Sequence, residues 1–357
     1  MIVLPKSRAF KGRKYIKSVQ YVAVTIAANQ TTGTATITSV DTAKTAMTLN
    51  GWTTSGGSID LKTQIPRVTL TDATTITATR NTSHATTTVT AYVCVMEFKA
   101  AAVTSVQYGT TAFISTDTSL TPSITSVDTS RAALFWTGFD TSGGGIGNTN
   151  FWRGRIASAT TLQWDKNTAG NAGTISWCVV EFASGVTNSI QQVSGTSAVA
   201  AADTDVTITS VNTENCLCLW NGLTTGIGSI IWGDIAHFGF LQSATNFRFS
   251  RYGSVSTTTR TMNATVIEFA SGVVRSRQTS QPTLSSGTAS LNSTVTSVNG
   301  LFSALSMCGF ANDATGGVNS SRVFIGSRLV NPTTITTSRD SSTSQESKTA
   351  LELLEFN

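Results

Sequence analysis

The sequence predicts an all-β protein of four tandem small antiparallel β-sandwich repeats, each of about 85 residues, behind a short basic N-terminal arm. Composition is the first reason. Charged residues make up 12% of the 357, while stretches such as TTGTATITSV and TTTVTAYVCV alternate β-branched with small residues, a text that suits strands better than helices. Apolar residues reach 39%, with 16 Phe and 7 Trp, which is core material for a chain folded throughout and not for a Ser/Thr linker. The second reason is periodicity. Glu-Phe ends an apolar run at Glu97-Phe98, Glu181-Phe182, Glu268-Phe269 and Glu355-Phe356. Thr-Ser-Val leads into Asp41, Asp128, Asn212 and Asn299, and Gln20, Gln107, Gln191 and Gln278 keep step with Gly51, Gly138, Gly222 and Gly309. All are spaced by 84 or 87 residues, too long for one solenoid turn and about the size of a small sandwich.

The elements follow in order. Residues 1–16 form the arm, in which Lys6, Arg8, Lys11, Arg13 and Lys14 meet no acidic residue. With Lys17 these six explain the net charge of +5, since setting them aside leaves 18 basic against 19 acidic residues. A basic arm on a neutral body suits docking to an acidic protein surface or to nucleic acid. The run MIVL is cut short by Pro5 and then by charge, so no signal peptide is expected, and no run approaches the length of a membrane span.

The repeats are expected at 17–100, 101–184, 185–271 and 272–357. In the first, strands are expected near 18–26, 34–40, 46–52, 67–71, 74–80 and 87–98, separated by turn text such as NQTTG, DTAK, TSGG and RNTSH. Six short alternating strands suit two sheets packed face to face. The joints are short: EFKAAAVTSVQ, EFASGVTNSIQ and EFASGVVRSRQ carry the chain from the last strand of one unit into the next, so the units are expected to form a stiff rod or compact arc of four beads.

Little in the sequence resembles a catalytic centre. His84 and His237 occupy different places in their repeats, the carboxylates recur singly, and GGGIGN at 143–148 lies in turn-like text without the helix that a phosphate loop needs. No catalytic residue, metal ligand or cofactor is expected. The recurrent Asp or Asn after TSV is read as a turn cap that accepts from the backbone two residues on, not as a calcium ligand. Arg80, Lys166, Arg251 and Arg339 recur and are expected to form cross-strand ion pairs of the kind Arg80 with Glu97. Cys94, Cys178, Cys216, Cys218 and Cys308 show no CxxC pair and read as buried free thiols. The loops after the recurrent Gly vary against a constant frame, which is where binding is usually placed. Trp152, Arg153, Trp232 and Asp234 are the candidate contacts there, with Trp164 a further aromatic, though Trp152 and Trp232 can equally fold back over the sandwich ends.

Taken together, S-[VI]-Q near the start of the units, a Thr-rich strand running into ITSV[DN]T, a strand ending in Gly and a final V-x-[EV]-F-like strand resemble structural proteins of tailed bacteriophage virions, of the tail-fibre, baseplate or decoration type. The likeness runs from Lys17 to Phe356. The fourth unit departs from it, with LELLEF as its last strand and no Trp. The resemblance implies a non-enzymatic, tail-associated virion component docked by its arm to capsid, collar, tail or baseplate subunits, homo-oligomeric in the particle and located in the virion. A capsid decoration or head-fibre protein, or a module that binds host-surface glycan through loop Trp residues, are the other readings.

Overall fold

The computed structural model describes residues 14–56, 60–199, 201–226, 236–251, 259–313, 323–341 and 344–357. It is all-β, as expected. The first unit supplies β1 (Ile16–Ile26), β2 (Thr32–Thr36), β3 (Thr45–Thr54), β4 (Arg67–Asp72), β5 (Thr75–Thr79) and β6 (Val89–Phe98). The second supplies β7 (Val103–Phe113), β8 (Ser119–Leu120), β9 (Ala132–Thr141), β10 (Trp152–Ser158), β11 (Thr161–Lys166) and β12 (Gly173–Phe182). In the third are β13 (Thr187–Ser197), β14 (Asp203–Thr207), β15 (Cys216–Thr225), β16 (His237–Ser243), β17 (Asn246–Arg251) and β18 (Arg260–Phe269). The fourth contributes β19 (Val274–Ser280), a short β20 (Thr283–Leu284), β21 (Ser290–Thr294), β22 (Ser303–Asn312), β23 (Gly326–Asn331), β24 (Thr334–Ser338) and β25 (Ser347–Phe356). All six strands expected in the first unit are present. The one expected at 34–40 stops at Thr36, because the backbone of Thr38 turns aside to bond the side-chain amide of Gln20.

Within the first unit β1, β6 and β3 pack over β2, β5 and β4, closing on Val24, Ile37, Val40, Val68, Ile76, Val89 and Val93. This is the small sandwich the alternating text predicts. The units are not separate beads, however. Strands β7-β12-β9 of the second unit continue into β4-β5-β2 of the first as one six-stranded sheet. In the same way β13-β18-β15 continue into β10-β11-β8, and β19-β25-β22 into β16-β17-β14. The series closes, since β1-β6-β3 of the first unit continue into β23-β24-β21 of the last. The expected rod or arc is therefore corrected to a closed ring of four sandwiches with shared sheets. Across the closing seam the Tyr21 hydroxyl donates to the Ser303 carbonyl at 2.6 Å, the Thr48 hydroxyl and the Asn50 amide each donate to the Leu305 carbonyl at 3.0 Å, and the Lys14 N–H donates to the Asn357 carbonyl at 3.0 Å. A sandwich strand whose outer edge is free pairs with whatever complementary edge lies beside it, and here that edge is the neighbouring unit's.

Each sheet crosses from unit to unit at the recurrent glycine: Gly51 pairs with Gly326, Gly138 with Arg67, Gly222 with Arg153 and Gly309 with Phe238. All four have positive φ, between +80° and +106°, and a Cβ added to any of them would lie 2.0–2.6 Å from a carbonyl oxygen of the strand alongside. Only glycine permits both the left-handed backbone and this close approach.

The four strands that begin after the Asp or Asn turn, β3, β9, β15 and β22, stand side by side around the axis of the ring. One end of the axis is filled by the Phe of the repeated Glu-Phe. Phe98, Phe182, Phe269 and Phe356 meet edge to face in succession, with centroids 5.8, 5.6 and 5.4 Å apart and planes near perpendicular, each at most 4% exposed. Burying one such ring stabilises by roughly 1.5–3 kcal/mol, and each edge-to-face contact adds roughly 0.5–1.5 kcal/mol.

Candidate functional site: the axial pocket

The recurrent polar residues are engaged with the scaffold. Each recurrent Gln makes two hydrogen bonds to one backbone residue eighteen positions on, imitating a strand partner: Gln20 with Thr38, Gln107 with Thr125, Gln191 with Thr209 and Gln278 with Thr296. Asp41, Asp128, Asn212 and Asn299 accept from the N–H two residues on, the turn cap read from the sequence. The Glu of Glu-Phe then holds the turn in place. Glu97 accepts from the Asp41 N–H at 2.8 Å and from Ser18, Glu181 from the Asp128 N–H and Ser105, and Glu268 from the Asn212 N–H and Ser189.

The expected pairing of Arg80 with Glu97 is corrected. Glu97 pairs instead with Lys17 at 2.7 Å. Arg80 is 1% exposed and fans its guanidinium over four carbonyls, those of Ala27, Gln30, Thr63 and Thr87, at 2.9–3.0 Å. Arg339 does the same for Ser285, Thr288 and Gln345, Arg251 donates to Ala201, and the Lys166 ammonium donates to Asn171 while lying 4.8 Å over the Trp152 ring. The recurrent cation gathers loop carbonyls, and in the Arg members a planar fork satisfies several acceptors at once.

Among the described residues a cavity of about 110 Å³ lies on the axis, toward the end opposite the phenylalanines. All four axial strands wall it, with Leu49 and Trp52 from β3, Trp136 and Phe139 from β9, Trp220 and Leu223 from β15, and Met307 and Phe310 from β22. These residues flank the recurrent glycine two positions before and one after it, where the bulge turns both side chains toward the axis. Trp52, Trp136, Trp220 and Phe310 are half-buried, so solvent reaches the rings. Trp52 rests on Phe324 at 4.8 Å and meets Phe310 edge-on at 6.1 Å, which fixes one wall. His237 is the one ionisable side chain among the described lining residues.

The sequence-predicted contacts lie elsewhere. Trp152 and Trp164 are fully buried core residues, Trp152 against Phe113 at 4.9 Å. Arg153 is three-quarters buried and faces Asp165 at 3.5 Å, which also faces Arg155 at 3.2 Å. Trp232 and Asp234 lie outside the described residues, as do Lys6, Arg8, Lys11 and Arg13 of the arm. Lys14 is exposed, its ammonium 4.9 Å over Tyr15. The axial aromatics were legible only as neighbours of a recurrent glycine, a position that varies between Trp, Phe, Leu and Met.

The five cysteines are buried free thiols, as expected. Burial pushes Cys94 and Cys216 up to about 12 and the other three upward as well, so none offers a thiolate near neutral pH. Among the described residues no group of three His, Cys, Asp or Glu is placed to hold a metal ion, and no helix is long and apolar enough to cross a membrane. Comparison with protein-family models and with curated proteins gives no match.

Proposed function

We propose that the protein is a non-enzymatic structural component of a tailed-bacteriophage virion, tail-associated at the fibre, baseplate or collar, and attached to its neighbours by the basic arm. The observation that carries this reading is that the polar residues repeated in the units serve the frame: the Gln, Glu, Asp or Asn and Arg or Lys series bond backbone, turns and one another. Chemistry repeated four times for rigidity is what a particle component needs. The ring closed between first and last units supports the same reading, since it removes the free ends from which a chain of beads unravels. The arm, with Lys6, Arg8, Lys11, Arg13 and Lys14 unopposed by acid, supplies attachment to an acidic surface of a neighbouring subunit. The outer edges of β1, β7, β13 and β19 are where further copies or partners would add strands.

The test is a chain lacking residues 2–13, assembled alongside the full-length chain in the source particle and counted by mass spectrometry against the major capsid protein. The shortened chain keeps its circular dichroism and melting profile and is lost from particles. Normal incorporation would refute the arm's role, and absence of the full-length chain from particles would refute the virion assignment. A copy number in the hundreds would favour the capsid-decoration reading over the tail. A glycan-binding module is the other class of function; with Trp152 and Trp164 buried, it would have to use other aromatic residues.

A further inference from the structure

We infer that the axial cavity is a binding site for a compact, uncharged, apolar group about the size of one six-membered ring. This assignment is independent of where the protein assembles. Four observations carry it.

First, the size fits. A cavity of about 110 Å³ admits a single small ring or a branched cluster of five or six carbons, and is too small for a sugar chain or a peptide segment. An enclosed apolar cavity of similar scale takes up small hydrocarbons, and this one, reached from solvent, has room for a group of that kind. Secondly, the wall is aromatic on all sides of the axis, with Trp52, Trp136, Trp220 and Phe310 each from a different unit and each only partly buried. Incompletely buried indole at the centre of an otherwise well-packed ring is unusual for a purely structural seam.

Thirdly, most polar groups of the wall are already engaged, although the Trp52 indole N–H is buried without a partner. The hydroxyl protons of Thr48 and Ser306 are already donated to the carbonyls of Leu305 and Cys218, at 3.0 and 2.8 Å. The Trp136 indole N–H is donated to Gly138 at 3.0 Å. A sugar bound here would leave most of its hydroxyls unmatched, and burying an unmatched hydroxyl is unfavourable. Fourthly, no carboxylate lines the cavity among the described residues, so a cation would lose its hydration against ring faces, and several of those faces are occupied: Trp136 is stacked on Phe139 at 5.7 Å with planes 12° apart, and Trp52 lies against Phe324. A neutral group is favoured over a quaternary ammonium of the same shape.

The test uses the full chain and a matched pair of probes, 3,3-dimethylbutan-1-ol and choline, which share shape and differ in charge, with benzene as a ring probe and methyl α-glucoside as a polar one. Binding is read by tryptophan fluorescence and by saturation-transfer NMR. Expected are saturable binding of benzene and dimethylbutanol, choline weaker by at least about tenfold, and no response to the glucoside. Leu223→Trp places in the third unit the residue that the first unit carries at the same position, Trp52, and so fills the cavity within a precedent of the fold. It is expected to weaken dimethylbutanol by at least about tenfold. Trp220→Leu copies Leu49 of the first unit, widens the cavity, and is expected to shift preference toward a larger ring such as naphthalene over benzene. Choline binding as tightly as dimethylbutanol would overturn the neutral assignment. Unchanged binding in a folded Leu223→Trp, unchanged ring preference in Trp220→Leu, or no saturable response to either neutral probe up to its solubility would overturn the site.

Discussion

Gly51 should be far more costly to replace than a glycine of identical backbone conformation outside a seam. Gly51 and Gly272 both have φ of +81°. In Gly51→Ala the new Cβ would stand 2.0 Å from the Ile325 carbonyl oxygen and 2.5 Å from the Met307 methyl, whereas nothing lies within 4 Å of a Cβ at Gly272. Both variants lose about 1–2 kcal/mol because an L side chain is strained in the left-handed region. Gly51→Ala loses more. To reach even the tightest observed contact, Ile325 must retreat by about 1 Å, and its carbonyl is the acceptor of the Trp52 N–H across the closing seam at 3.2 Å. Leaving that buried pair unmade adds about 1–3 kcal/mol, for a total of about 2–5 kcal/mol. Urea unfolding followed by circular dichroism measures both variants against the parent. If the two lose the same amount to within about 0.5 kcal/mol, close approach at the first-to-last seam is not what glycine provides at position 51, and the ring argument fails with it.

Two further outcomes follow from side chains that hold loops. Arg80→Met should destabilise by about 3–5 kcal/mol, because four carbonyls lose a charged donor in a buried site, and Arg80→Lys should recover only part of the loss, since one ammonium cannot serve carbonyls on several sides. Hydrogen exchange at the Gln30 and Thr82 amides should quicken in both variants, and a lysine variant as stable as the parent would refute the account. Asp128 is held down to about 2 by hydrogen bonds from the Ser130 hydroxyl first, then from Arg131 and the Ser130 N–H. A carboxyl whose folded pKa is depressed contributes stability above its unfolded pKa of about 4 and loses it as pH falls from there toward about 2. Asp128→Asn should therefore make the loss of stability between about pH 4 and pH 2 shallower, and an NMR titration of the parent should place the Asp128 midpoint near 2.

The sequence by itself determined what is local. Alternation of Thr, Val and Ile set the strands, Asp and Asn after Thr-Ser-Val set the turns, and copying set the four-fold repetition, because each of these depends on neighbours within a few residues or on the same text recurring. Burial of the five thiols was legible for the same reason, each cysteine lying in an apolar run. The tertiary structure decided where the units join. Sheet edges pair through backbone N–H and C=O groups, which every residue carries, so no letter says that β4 extends β9 or that β23 extends β3. Arg80 was misassigned to Glu97 on the same account, since its true partners are carbonyls, invisible in a text of side chains. Trp152, among Gly, Asn and Arg, read either as a loop plate or as folding back over the sandwich; the chain folds it under Lys166 and against Phe113. The axial pocket exists only because four bulges at four glycines, some 84 or 87 residues apart, are turned toward one line when the ring closes.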